Sequence, residues 1–259
     1  DRDTVWNPGW QPTQTALDRY ACRHGLGYTV VEGEKDGVSA RQELFVPRGD
    51  NCLLARLTVR NDTDAAKPLD VFPYVEFCLW DAMDDSSNFQ RNYSIGEVEL
   101  SADAILHKTE YRERRNHYSL FWASRPFDGC DTARDASLGV YGSPARPEAV
   151  LAGRCTGSVA HGWAPVGAMQ FHLTLAPGES WSVILGLGYL ENPEDEKWAA
   201  PGVVNRSRGS AMMARYRTDG QFDAALAALA AFWSELLGGF RLRSGDEKLD
   251  RMVNVWNQY

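Results

Sequence analysis

No stretch of this sequence approaches the roughly 18 consecutive apolar residues that carry a helix across a bilayer. Its first residues, Asp1 to Thr4, are polar rather than signal-like, so no membrane partner is expected. Cysteine is sparse: Cys22, Cys52, Cys78, Cys130 and Cys155 are odd in number, far apart and free of any CxxC pair. That excludes a zinc ribbon or a CxxC redox centre and points to reduced, mostly buried thiols in a cytoplasmic protein. Basic blocks on an aromatic background are missing, and 27 Lys and Arg stand against 35 Asp and Glu for a net charge of -8. A nucleic-acid partner is therefore disfavoured, and a neutral or small anionic substrate fits better. His24, His107, His117, His161 and His172 show no HxH or HExxH spacing, so each is read as a hydrogen-bonded structural histidine and no metal site is expected. GxSxG, Walker and GxGxxG signatures are also absent. Gly186 and Gly188 sit inside a strand pattern without a third glycine or a following helix, which disfavours nucleotide chemistry.

What is present is a core. With 44% hydrophobic residues in 259, the chain suffices for one large all-β domain or two ordinary ones. From Tyr28 to about Tyr189, short β-type runs alternate with turn signals, the pattern of an antiparallel sandwich. Val30 to Glu34 and Val38 to Val46 flank Lys35-Asp36-Gly37, a DG hairpin turn. Cys52 to Arg60 follows. Leu69, Val71, Val75, Phe77 and Leu79 alternate along a strand that Pro73 interrupts, which implies an edge or a bulge. Further strands are expected at Ile95 to Leu100, Ala104 to Tyr111, Tyr118 to Ala123, Met169 to Leu175 and Trp181 to Tyr189.

Near Asp219 the period changes. Phe222, Leu226, Leu229, Phe232, Trp233, Leu236 and Leu237 recur at helical spacing before Gly238-Gly239, which marks a helix and its end. Ser244 and Glu247 stand in capping-box relation ahead of Leu249, Met252, Val253 and Trp256, so a second helix is expected to start there and to be still running at Tyr259. The expected organisation is a β-sandwich over 1–218 and a helical linker over 219–259.

The densest polar segment holds Asp81, Asp84, Asp85, Ser86, Ser87, Asn88, Gln90, Arg91 and Asn92 beside Trp80 and Phe89. Amides and Arg bond sugar hydroxyls while aromatic rings cover the apolar sugar face, so this composition suits a carbohydrate site; a solvated loop with Asx-type turns has the same composition. Asp84 and Asp85 are adjacent and give no ground for facing each other across a scissile bond, and Glu97, Glu99 and Glu110 read as the wet face of strands. No catalytic carboxylate is assigned. The charged run Tyr111 to His117 reads as an exposed, salt-bridged connection.

Longer strings carry more specific information. WNPGWQP (Trp6 to Pro12), YACRHGLGYT (Tyr20 to Thr29), FVP (Phe45 to Pro47), VEFCLWDAMDDSSNFQRNYSIGEVE (Val75 to Glu99), HKTEYRERRNHY (His107 to Tyr118), SVAHGWAP (Ser158 to Pro165) and DEKLDRMVNVWNQY (Asp246 to Tyr259) resemble the amino-terminal half of the cellobiose phosphorylases, glycoside hydrolase family 94. The resemblance runs in order over essentially the whole chain. It implies a mainly β fold, a large antiparallel, galactose-mutarotase-like supersandwich followed by linker helices. It further implies an (α/α)6 catalytic barrel outside this chain, some strands ahead of the WNPGW segment, and a cytoplasmic homodimer.

The reaction so implied is reversible, inverting phosphorolysis of cellobiose to α-glucose 1-phosphate and glucose. Inorganic phosphate is the co-substrate and no cofactor is needed. Phosphate arrives as an anion and attacks without a general base, so one carboxylic acid suffices, and the resemblance puts that acid in the barrel. The NFQRN segment matches a family loop that reaches the acceptor-sugar end of the neighbouring protomer's active site, which makes Gln90 and Arg91 the substrate-binding candidates. Chitobiose and cellobionic acid phosphorylases share much of this half and remain alternatives, as does a non-catalytic carbohydrate-binding sandwich.

Overall fold

The structure, a computed structural model, describes residues 4–78, 83, 96–109, 115–162 and 164–256. Its strands, in chain order, are β1 (Arg19–Gly25), β2 (Tyr28–Lys35), β3 (Val38–Phe45), β4 (Cys52–Asn61), β5 (Lys67–Val71), β6 (Tyr74–Glu76), β7 (Gly96–Leu100), β8 (Ala104–Thr109), β9 (His117–Ala123), β10 (Gly129–Ala133), β11 (Pro165–Leu175), β12 (Ser180–Glu191), β13 (Trp198–Ala200) and β14 (Val203–Val204). Between them and after them lie the helices α1 (Arg134–Leu138), α2 (Glu148–Leu151), α3 (Ser207–Arg215), α4 (Asp219–Leu236) and α5 (Glu247–Arg251).

Eight strands form one sheet in the order β1-β2-β3-β4-β12-β9-β8-β7, and a smaller sheet runs β10-β11-β5 with β6 also on β11. Every pairing of the two is antiparallel. The two sheets face each other across Ala55, Ile105, Phe121, Val183 and Leu185 from the large sheet and Met169 and Phe171 from β11. The other face of the large sheet presents Phe45, Leu54, Tyr118, Leu120 and Trp122 to Met212 and Met213 of α3 and Phe222 and Leu229 of α4. Each such side chain contributes about 1.5–3 kcal/mol on burial. Since both faces are covered, β12 in the middle of the sheet does not alternate: it is buried at Val183, Ile184, Leu185 and Leu190 alike.

The expected β2–β3 hairpin forms, with Asp36 at φ 50° and Gly37 at φ 72° supplying the two positive dihedrals of a tight turn. Pro73 splits the alternating segment into β5 and β6, and β5 ends the path of the small sheet, an edge position. The structure adds β1, β10, β13, β14 and α3, which sequence periodicity did not indicate. β1 is an edge strand, exposed at most positions and rich in Arg and His, so it shows no alternation.

Two helix ends differ from expectation. α4 begins with a reciprocal capping box between Thr218 and Gln221, but its C-cap is Leu237 at φ -80°, with Gly238 donating to the Glu235 carbonyl at 3.1 Å rather than adopting a left-handed turn. α5 is capped by Asp246, which accepts from Lys248 N at 2.9 Å and Leu249 N at 3.3 Å, while Ser244 donates instead to Asp250 Oδ1 at 2.7 Å. A carboxylate one residue before the first helical turn outcompetes the serine because two N–H groups converge on one charged acceptor. A single π-type turn over Met252–Trp256 continues α5.

The cysteines also depart from the expected burial. Cys52 and Cys130 are buried and Cys155 half-buried, but Cys22 on the exposed strand β1 and Cys78 are exposed. No helix among the described residues is long and apolar enough to cross a membrane.

Candidate functional site

Strand register gathers several segments at one end of the large sheet. Gly96 pairs with Thr109, Lys108 with Tyr118 and His117 with Glu191, so β7 begins, β8 ends, β9 begins and β12 ends together. The two connections that sequence analysis singles out, the polar segment around NFQRN and the charged run after Thr109, leave from this end. Gln90 and Arg91 themselves, with Asp81, Asp84, Asp85 and residues 110–114, lie outside the described residues.

The flanking residues show how this end is built. Phe77 is buried, its ring 5.5 Å from that of His107, itself 2% exposed. One position further along β8, on the opposite face, Lys108 is 1% exposed. Its ammonium lies 4.4 Å from the centre of the Trp198 ring and donates to the Arg115 carbonyl. Burying a cation costs several kcal/mol unless its field is met, and the indole face and the carbonyl dipole meet it in part. Tyr111 to His117 is therefore not wholly the water-exposed connection expected, since at its end Asn116 is buried.

Asn116 Nδ2 donates to the Asn192 carbonyl at 2.7 Å, and Asn192 N returns the bond to the Asn116 carbonyl at 3.0 Å. Asn192 Nδ2 then donates to the Asn205 carbonyl at 2.7 Å. His117 Nδ1 pairs with the Tyr189 hydroxyl, and its Nε2 lies 3.6 Å from the Glu191 carboxylate. This bracing carries the start of β9 on the end of β12.

Two carboxylates on the strands that flank the polar segment are engaged structurally. Glu76 accepts from Arg134 Nε and from the Tyr74 hydroxyl, both at 2.9 Å. Glu99 accepts from Val204 N at 2.5 Å. Elsewhere, Asp131 is fully buried and accepts from the N–H and hydroxyl of both Thr156 and Ser158 at 2.6–3.0 Å, a loop clamp rather than a reactive group.

Of the five histidines read as hydrogen-bonded, three show it among the described residues: His24 to Thr29 at 3.0 Å, His117 to Tyr189 and His172 to Asp70. Among the described residues no group of three or more His, Cys, Asp or Glu side chains gathers as metal ligands do. Lys108 is the residue that sequence reasoning passed over. Its signal was available, because it falls two positions after the core residue Leu106 and so on the same face of the strand.

Residues 1–219 match the family described as Glycosyl hydrolase 94, supersandwich domain. The N,N'-diacetylchitobiose phosphorylase of Vibrio proteolyticus is 30% identical over 276 residues, covering 100% of this chain and 31% of that protein. The enzyme of the same name from Vibrio furnissii is 30% identical over 260 residues, covering 98% of this chain and 30% of its own length. A solabiose phosphorylase of Paenibacillus borealis is 34% identical over 176 residues, 67% of this chain and 23% of that protein. The chain thus spans under a third of the length of these relatives. An antiparallel two-sheet sandwich with helices on one face, matched from residue 1 to residue 219, places this chain in glycosyl hydrolase family 94 as its supersandwich domain.

Proposed function

We propose that this chain is the sandwich portion of an inverting disaccharide phosphorylase, which converts a β-linked disaccharide and phosphate to an α-sugar 1-phosphate and a free sugar. The observation that supports it most is the alignment of essentially the whole chain with phosphorylases, 100% and 98% of it with the two from Vibrio. The longer protein acts as a cytoplasmic homodimer whose catalytic acid lies in a barrel beyond the linker, with the sandwich boundary near residue 218. Cellobiose is the substrate that the chain's motifs favour. The names of the Vibrio relatives favour N,N'-diacetylchitobiose as the second reading.

Gln90 and Arg91 contact the acceptor sugar of the neighbouring protomer in this reading. Both donate several hydrogen bonds, and a buried donor left unmet by the wrong sugar costs about 1–3 kcal/mol, so they govern which acceptor sugar is taken and leave bond cleavage to the acid. The test incubates the full-length protein with phosphate and each disaccharide. Release of α-glucose 1-phosphate from cellobiose supports the first reading, N-acetylglucosamine 1-phosphate from chitobiose the second, and neither product the lectin-like alternative. Gln90→Ala and Arg91→Ala should each raise the acceptor KM about tenfold in the synthetic direction with kcat held; an unmoved acceptor KM removes both from the site.

A further inference from the structure

Past helix α4, the helix-side face of the large sheet changes from apolar to charged. Register sets Tyr28 beside Phe45, and Arg23, Val30, Glu43 and Arg56 across one row of four strands, with Glu32 beside Arg41 in the next. Residues paired across strands share a face. Phe222 of α4 covers Phe45, its ring edge-on at 5.0 Å. Over β1 and β2 that cover ends, and a cavity of about 330 Å³ opens between the sheet and Leu226. Its size lies at the lower end of small-molecule sites.

The charges around it are paired in a ladder. Glu32 accepts from Arg23 and, at 2.7 Å, from Arg41, which also donates to Glu43 at 3.1 Å. Arg56 donates to Glu43 at 2.9 Å and to Asp223 of α4 at 2.8 Å. With Asp219 also 3.5 Å from Arg56, these three guanidinium groups meet four carboxylates, and such a field gives an anion no advantage. Hydrogen-bonding capacity remains. Arg23 spends one bond of its five donors on Glu32, its side chain 61% exposed, and the Tyr28 hydroxyl makes no hydrogen bond among the described residues.

Tyr28 is held in place. Its ring lies across Gly25, where a Cβ would come within 2.0 Å of Cε1, so the space left by that glycine seats the aromatic wall. Val30 and Phe45 are buried and form an apolar floor. Fixed donors and acceptors around an apolar floor and an aromatic flank suit a neutral ring of hydroxyls, whose O–H groups exchange bonds with guanidinium and carboxylate while its C–H face rests on carbon.

We propose that this cavity, lined by Arg23, Tyr28, Val30, Arg41, Glu43 and Leu226, is a binding site for a neutral saccharide. The choice of ligand rests on the carbohydrate reading above. In the ¹⁵N-labelled 259-residue chain, cellobiose or N,N'-diacetylchitobiose should shift the amides of Gly25, Tyr28, Val30 and Leu226 saturably, and inorganic phosphate should not. Tyr28→Ala should weaken binding about tenfold. Arg23→Met, altering an exposed side chain, should weaken it severalfold and serves if the first variant does not fold. The proposal is overturned if neither disaccharide shifts these amides, if phosphate shifts them in place of sugar, or if the folded variants bind as the parent does. Phosphorolysis by the longer protein is read separately: saccharide binding without it keeps the cavity and ends the phosphorylase reading, and phosphorolysis without saccharide binding does the reverse.

Discussion

The middle of the large sheet and its polar end are built from the same strands yet obey different rules. Around Leu54, Trp122 and Ile184, β4, β9 and β12 are covered by helices on one face and by the small sheet on the other, so position hardly matters and apolar residues follow one another. A few residues along, the same β9 and β12 carry His117, Tyr189 and Glu191, and beside them β8 carries Lys108; each is held by a named partner. Stability resides in area buried at the middle, and in directed bonds at the end. A domain can therefore hold polar chemistry at its rim because the middle supplies the folding energy.

That contrast can be broken by substitution. Phe222→Ala removes a fully buried ring packed edge-on to Phe45 and lying 4.5 Å from the Arg56 guanidinium, and should cost about 3–5 kcal/mol in denaturant unfolding. A cost under 1 kcal/mol would mean that α4 does not belong to the core. Asp131→Asn places an amide where Thr156 and Ser158 converge their donors, and should cost about 2–3 kcal/mol by the same measurement.

A pH series sharpens the comparison. Burial first, and the Asp50 carboxylate second, push the Cys52 thiol from 9.0 up to about 12. A folded-state value above the unfolded one stabilises fully below pH 9 and is lost as pH rises through about 12. Melting temperature should therefore fall across that alkaline window, and less steeply in Cys52→Ala; equal slopes would show that this thiol does not feel its burial. The smallest effect belongs to the polar end. Tyr189→Phe deletes the hydroxyl that His117 meets and should cost about 1 kcal/mol, with the melting transition still cooperative.

Much of the fold could be read from residue pattern alone. Asp36-Gly37 announced its hairpin, Pro73 its strand break and the Phe222-to-Leu237 period its helix, because each signal is local. β1 escaped because an edge strand exposed on most sides has no reason to alternate. Ser244 misled because Asp246, two residues on, offers a charged acceptor to the same helix end. Composition singled out NFQRN and the charged run beyond Thr109 as candidates, and Gln90 and Arg91 lie outside the described residues. The gathering of the flanking strand ends follows from register, which joins residues as far apart as His117 and Glu191 and leaves no mark in either segment.

The central claim is that this domain shapes a sugar site whose bond-breaking acid comes from another part of the protein. It is tested most directly by incubating the purified 259-residue chain with phosphate and cellobiose or N,N'-diacetylchitobiose and assaying for a sugar 1-phosphate or free sugar. The account predicts no turnover above the uncatalysed background. Sustained cleavage by the chain alone, to phosphate or to water, would contradict it.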